Sequence, residues 1–171
     1  MDEVLRTIKQ RRSIRDFQKK EIPRELIKKL SGALIWAPSA GNLQSRKFYF
    51  VTDHILKKNL SAAALGQNFI ADAPLVVVGC ADRKIEGRYG ERGFHLYAVQ
   101  DVACSIMNMM LTACENGLGT VWVGAFREGD VFEALDLPDN LRPVAIVPVG
   151  YPSKVPSAPP RVSAEEAINY R

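Results

Sequence analysis

Apolar residues recur along the 171-residue chain with two different periods. Val4, Leu5 and Ile8 have helical spacing and predict a first helix ending near Lys9–Arg11. Arg11 to Phe17 follows as a turn or short extended segment. Ile22-Pro23 opens a second helix, with Pro23 in its first turn, where a missing N–H costs nothing, and with Leu26, Ile27, Leu30 and Leu34 as its apolar stripe. Ala37 to Asn42 (APSAGN) breaks that helix into a loop. Lys47 to Thr52 (KFYFVT) is aromatic and β-branched, which predicts a strand. Asp53 is placed to cap a helix running through Leu65. Leu75 to Cys80 (LVVVGC) is a continuous apolar run between Pro74 and Asp82, the mark of a strand buried on both faces.

Residues 82–93 are polar and contain glycine, and predict a loop, either one that carries function or an interface or a plain surface connection. Phe94 to Asn116 is the longest helical segment. Val99, Val102, Ile106, Met110 and Ala113 form one apolar face, and Ala98, Cys104, Met107, Leu111 and Cys114 widen it. A helix apolar on most sides belongs in a core or a dimer interface. Gly117 suits the position that ends it. Thr120–Gly124 and Val144–Val149 read as strands with a short helix near Asp130–Leu135 between them, and Pro148 pushes the last strand toward an edge or an end. Beyond Tyr151, Pro152, Pro156, Pro159 and Pro160 predict an extended arm over residues 151–171. No repeat and no boundary interrupts the chain, so one domain over 1–171 is expected. Helices and strands mix without strict βαβ alternation, which gives an α+β fold.

Composition adds exclusions. A hydrophobic fraction of 47% with 25% charged residues suits a domain with a real core. No apolar run approaches the ~20 residues needed to span a bilayer. MDEVLRTIKQRRS lacks an apolar h-region, so neither a membrane nor secretion is expected. Cys80, Cys104 and Cys114 are odd in number, form no CxxC and sit among apolar residues; they read as buried inert thiols of a cytoplasmic protein. His54 and His95 have no second ligand at metal spacing and no partner for nucleophilic catalysis, so no metal is expected. The net charge of +4 is concentrated in residues 1–30, where ten Lys or Arg face five Asp or Glu. Such an excess attracts a phosphate-bearing ligand, nucleic acid or an acidic surface. Lys28 and Lys29 read as a solvated helix face. No aromatic-interleaved basic sheet or recognition helix accompanies the charge, which sets nucleic acid aside.

Phosphate binding by the common loops is excluded. There is no Walker A motif, and Gly117-Leu-Gly119 runs on into Thr120-Val121-Trp122 without the third glycine of GxGxxG. Arg11-Arg12-Ser13-x-Arg15 offers another way, because guanidinium forks match phosphate oxygens and Ser13 adds a hydroxyl. Pro38-Ser39-Ala40-Gly41-Asn42-Leu43-Gln44 supplies amides able to read the edge of a heterocycle, or is simply a helix-ending loop with an Asx-turn.

RRSIRDF followed by APSAGNLQ resembles the opening of nitroreductase-family flavoproteins. ENGLGTVWVGAF resembles the end of that family's central helix and its flavin-facing strand. VGYP, the Pro-rich arm, Arg161 and AEEAI resemble its C-terminus. The resemblance spans nearly the whole chain. It implies an α+β homodimer with a mixed, mostly antiparallel central sheet flanked by helices, a long central helix at the dimer interface, and FMN bound between subunits. It places Arg11, Arg12 and Ser13 at the FMN phosphate and ribityl chain, and Arg15 at the pyrimidine edge. Pro38, Ser39, Ala40, Asn42 and Gln44 would come from the other subunit. Gly124 and Ala125 would face the flavin N5 and O4, and Arg161 would join the phosphate site. Two positions depart from the family pattern. Gln44-Ser45-Arg46 stands where Gln-Pro-Trp is common. Gly66-Gln67-Asn68 carries no cation where some members have a lysine, which leaves Gln67 as the substitute.

The activity implied is transfer of two electrons from NAD(P)H to a small oxidised acceptor (a nitroaromatic, a quinone or a flavin) by a ping-pong route, with no catalytic side chain beyond the cofactor. The alternatives are a dehalogenating or flavin-cleaving enzyme of the same fold, or a flavin-binding protein without turnover.

Overall fold

The structure, a computed structural model, describes residues 2–171. Its helices are α1 (Glu3–Gln10), α2 (Arg24–Ile35), α3 (His54–Ala63), α4 (Phe69–Asp72), α5 (Glu86–Arg92), α6 (Ala98–Glu115), α7 (Glu128–Ala134) and α8 (Ala164–Ala167). Its strands are β1 (Arg46–Val51), β2 (Leu75–Asp82), β3 (Gly119–Thr120) and β4 (Leu141–Gly150). They form one sheet in the order β1-β2-β4-β3, every pair antiparallel. The α+β expectation holds. The mixed character expected of the sheet reduces to a single parallel bridge, Ser13 to Thr120, outside the named strands.

Sheet alternation explains the layers. Successive side chains of a strand point to opposite faces, and residues 75–81 of β2 are all buried. Leu75, Val77 and Ala81 pack with Leu30 and Leu34 of α2 and with Val102, Ile106, Met109 and Ala113 of α6. Val76, Val78 and Cys80 join Leu60 and Ala63 of α3, Ile70 of α4 and Val131 of α7 on the other side. The helix α6 ends where the sequence predicts. Leu118 N–H bonds to Ala113 O and Gly117 N–H to Cys114 O, the paired bonds of a Schellman motif, with Gly117 at φ 74°.

Several expectations need correction. Residues 83–93 are helical: Asp82, the last residue of β2, caps a 3₁₀ turn at Arg83–Ile85, α5 follows, and a π-turn at Gly93–Tyr97 leads into α6. Helix α4, four residues long, is too short to announce itself by period. Cys80 is buried, but Cys104 is exposed and Cys114 only partly covered. Cys104 lies on α6 opposite the buried positions Val102, Ile106 and Met109.

Pro148 is not at an edge. It lies in β4, between β2 and β3, paired with Val76. Val123 and Ile146 exchange both backbone bonds, so the antiparallel register sets Val121 opposite Pro148 as the next such pair. A proline has no N–H to give there. The ladder lapses, and the expected strand Thr120–Gly124 survives as the two-residue β3 plus an isolated bridge at Val123.

The arm is extended as expected. It is tied at its root, where Gln18 N–H bonds to Tyr151 O and Ser153 N–H to Asp16 O. Residues 153–171 are exposed throughout.

Candidate functional site

Two groups of the expected site residues occupy different parts of the fold. The first gathers at the β3 edge. After α1 the chain runs extended, so alternate residues face in and out: Ile14 is buried between Ser13 and the exposed Arg15. Ile14 N–H bonds to Thr120 O at 2.9 Å. This close seating needs Gly119, where an added Cβ would lie 2.5 Å from Ile14 Cγ1 and 2.8 Å from its Cβ. Arg11 and Arg12 line a cavity of about 140 Å³ with Gly117, Gly119, Thr120 and Pro152. Arg12 also donates to the carbonyls of Lys9 (2.6 Å) and Arg11 (2.9 Å) at the end of α1. Arg15 holds its guanidinium carbon 6.0 Å from the ring centre of Phe69. The Gln67 amide donates to Ala64 O at 2.9 Å and Ala125 O at 3.4 Å. Gly124 and Ala125 are exposed just past the Val123 bridge. Arg11, Arg12 and Arg15 form no ion pair among the described residues.

The second group, Pro38 to Gln44, belongs to a loop between α2 and β1. Gly41, Asn42 and Gln44 have φ of 54°, 55° and 51°. Left-handed backbone at Asn42 and Gln44 is strained and needs its surroundings to hold it. Three ties do so. Gln44 N–H bonds to Ser39 Oγ at 3.0 Å. Ala40 N–H bonds to Asp101 Oδ1 at 2.9 Å. Arg46 reaches back to the carbonyls of Ile35 (3.0 Å), Ala37 (2.7 Å) and Pro38 (2.8 Å), closing the end of α2. Both Arg46 and Asp101 are buried, at 9% and 5% exposure. Burial lowers the pKa of Arg46, opposed by the Asp101 charge. Burial likewise holds the Asp101 carboxyl above the usual carboxylate range, opposed by the Ala40 N–H and the Arg46 charge. Asp101 Oδ2, Ser105 Oγ and Ser45 Oγ lack protein partners beside this pair.

No hydrogen bond or bridge among the described residues joins residues 38–44 to residues 11–15. Arg161 stands apart from both groups, exposed on the arm and donating to the carbonyls of Pro159 and Pro160. Sequence reasoning missed Arg46 and Asp101. Their signals were the charge that replaces an aromatic after Gln44 and a carboxylate set within the buried face of α6, because a buried charge needs a reason.

The antiparallel sheet flanked by helices, with a cation-bearing segment laid against β3, defines a class of α+β protein equipped for an anionic ligand. The Nitroreductase family model matches residues 8–86 and 58–151. A relative from Methanothermobacter thermautotrophicus, provisionally named NADH dehydrogenase/NAD(P)H nitroreductase, is 32% identical over 158 residues, covering 90% of this chain and 80% of its own. The FMN reductase [NAD(P)H] of Bacillus subtilis is 30% identical over 186 aligned positions, covering 100% of this chain and 74% of its own. The NADPH:FMN oxidoreductase of Vibrio harveyi, solved with NAD⁺, superposes with a TM-score of 0.92 at 26% identity, covering 99% of this chain and 77% of that one. The chain belongs to the nitroreductase family.

Proposed function

We propose that this protein is an FMN-dependent oxidoreductase that takes electrons from NAD(P)H and passes them to a small oxidised acceptor. The observation that carries the reading is the bridge of Ser13 to Thr120, which lays the Arg11–Arg15 segment beside the strand leading to Gly124 and Ala125. The names of the relatives agree with it.

The donor set fits FMN. Guanidinium groups without carboxylate partners suit a phosphate. Arg11, Arg12 and Ser13 would hold the phosphate end, with Arg161 carried to it by the arm. Gln67 and the peptide at Gly124–Ala125 would align the ring. Arg15 would place positive charge at the pyrimidine edge, where a reduced flavin accumulates negative charge. FMN, when bound, supplies the hydride-accepting and hydride-releasing centre, so donor and acceptor share one site in turn. The protein's part is therefore to bind, orient and set charge.

The reading includes a homodimer, with Pro38, Ser39, Ala40, Asn42 and Gln44 completing the partner's site. Three features support it. The loop carries no tie to residues 11–15. Val4, Leu5 and Ile8 of α1 and Met107 of α6 leave apolar side chains exposed. A cavity of about 300 Å³ opens between α1 and α6, lined by Val4, Thr7 and Leu111. The chain is read as one domain with residues 151–171 as an arm. Among the described residues, no helix is long and apolar enough to cross a membrane.

The test is an absorbance spectrum of the purified protein, before and after anaerobic addition of NADH and of NADPH. A flavin spectrum that bleaches is the expected result. Flavin that stays oxidised with both donors would remove the catalytic reading and leave flavin binding alone. Failure to retain or take up FMN would overturn both.

A further inference from the structure

The segment between β2 and α6, which composition alone suggests is a polar loop, has a distinctive local chemistry. Residues 83–97 carry four Lys or Arg against two Glu. Arg83 is neutralised by Glu86 at 2.7 Å. Arg88 and Arg92 form no ion pair among the described residues and are exposed. Each instead lies against a tyrosine, with Arg88 5.5 Å from the Tyr89 ring centre and Arg92 5.6 Å from that of Tyr97. Arg92 Nε also donates to the Tyr97 hydroxyl at 3.1 Å. The two rings meet edge to face at 5.4 Å. The result is an Arg–Tyr–Tyr–Arg cluster whose aromatic core pre-orders both guanidiniums.

The backbone beneath it is unusual. Gly90 breaks α5 at φ 57°, ψ −159°, a conformation that side chains other than glycine's do not tolerate. The π-turn at Gly93–Tyr97 then adds a residue to the helical repeat. Such turns re-aim side chains, often at functional sites. The cluster also touches the loop of the second group. A Cβ placed on Gly41 would lie 2.6 Å from the Tyr89 hydroxyl, so Tyr89 packs directly against Gly41.

We infer that Arg88 and Arg92 bind a phosphate group of the nicotinamide dinucleotide at the mouth of the site to which the 38–44 loop contributes. The inference rests on the proposed function for its location, because it is the loop's role beside FMN that brings the cluster to the donor. The chemistry follows from the residues. Guanidinium forks pair with phosphate oxygens through two parallel hydrogen bonds. Forks already stacked on aromatic rings lose less freedom on binding. The adjacent tyrosine faces offer apolar area to the rest of the nucleotide. The phosphate belongs either to the pyrophosphate, common to NADH and NADPH, or to the 2′-phosphate, present only in NADPH.

The test uses the FMN-loaded protein and its Arg88→Ala, Arg92→Ala and double variants, with Lys58→Ala, at an exposed position of α3, as the control for general loss of positive charge. Dissociation constants for NAD⁺ and NADP⁺ are measured by calorimetry, and KM for NADH and NADPH with one fixed acceptor. Each arginine variant is expected to weaken nucleotide binding about tenfold, and the double variant more, with FMN content equal to the parent's. Loss with both nucleotides assigns the pyrophosphate, and loss with NADP⁺ and NADPH alone assigns the 2′-phosphate. Constants for the double variant within twofold of those of the Lys58→Ala control overturn the inference, and if FMN is still bound and reduced they leave the proposed function standing. A parent protein that neither holds FMN nor binds either nucleotide overturns the inference together with that function.

Discussion

Replacing Arg46 with methionine keeps most of the side chain's apolar stem and removes its guanidinium. Three carbonyls, those of Ile35, Ala37 and Pro38, then lose their donor. A buried acceptor left unmet costs about 1–3 kcal/mol. Ile35 and Trp36 are exposed, so water reaches the end of α2 and the lower part of that range applies. Asp101 also loses the nearby positive charge that opposes its desolvation. Asp101 limits the damage by taking up a proton, which its raised pKa already favours. Three carbonyls at about 1 kcal/mol each make the net loss about 3 kcal/mol, which at 2–4 °C per kcal/mol for a chain of this size lowers Tm by about 6–12 °C. Urea unfolding followed by circular dichroism, at one fixed protein concentration, measures the loss directly. Arg46→Lys should recover part of it, because an ammonium keeps the charge but cannot present a planar fork to three carbonyls. A loss below about 1 kcal/mol for Arg46→Met would refute the assignment of Arg46 as the anchor of the 38–44 loop, since the three bonds alone exceed that figure.

Three further outcomes are expected. Gly119→Ala should cost about 1–3 kcal/mol by overpacking against Ile14. Because Ile14 lies between Ser13 and Arg15, FMN release in dialysis should also be faster than from the parent; an unchanged Tm would show that Ile14 moves aside freely. A carboxyl with a raised folded pKa binds its proton more tightly folded than unfolded, so Asp101 contributes stability below about pH 3.9, the unfolded value, that is lost as pH rises through its folded value. Asp101→Asn, which keeps an acceptor for Ala40 N–H, should therefore gain stability relative to the parent between pH 4 and pH 7, and a difference independent of pH would contradict the burial account. Burial pushes the Cys80 thiol up to about 12, so Cys80 should resist thiol reagents in the native protein and react only in denaturant; labelling of Cys80 before unfolding would show that the face of the sheet toward α3 opens locally.

Local signals in the chain were readable where one force dominates. The apolar run 75–80, the cap at Asp53 and the stop at Gly117 each express a strong local preference, and the structure follows all three. Residues 82–93 misled because Gly87, Gly90 and Gly93 suggest a loop. The helical turns there are held by the Asp82 cap and by burial of Ile85, Gly93 and Phe94, which are tertiary facts. Pro148 misled because its rule concerns a donor, and which neighbour that donor would face depends on register. Within the site, the resemblance supplied residue names, but the two-part arrangement did not follow from spacing. Arg46 and Asp101 are 55 positions apart in sequence and are joined only by the packing of α6 under the loop.

The gap at Pro148 also separates two kinds of sequence freedom. Strands β1, β2 and β4 pair with one another along their length, whereas residues 121–125 are held to β4 by the Val123–Ile146 exchange alone. The exposed Trp122, Gly124 and Ala125 are free to vary in what they present outward without disturbing the ladder, while the buried Val121 and Val123 stay in the core. A residue with an N–H at 148 would remove that insulation, inviting Val121 into the ladder and coupling every later change at Gly124 or Ala125 to the integrity of the core. A single imino acid in the middle of the framework thus lets a rigid scaffold carry an adaptable rim.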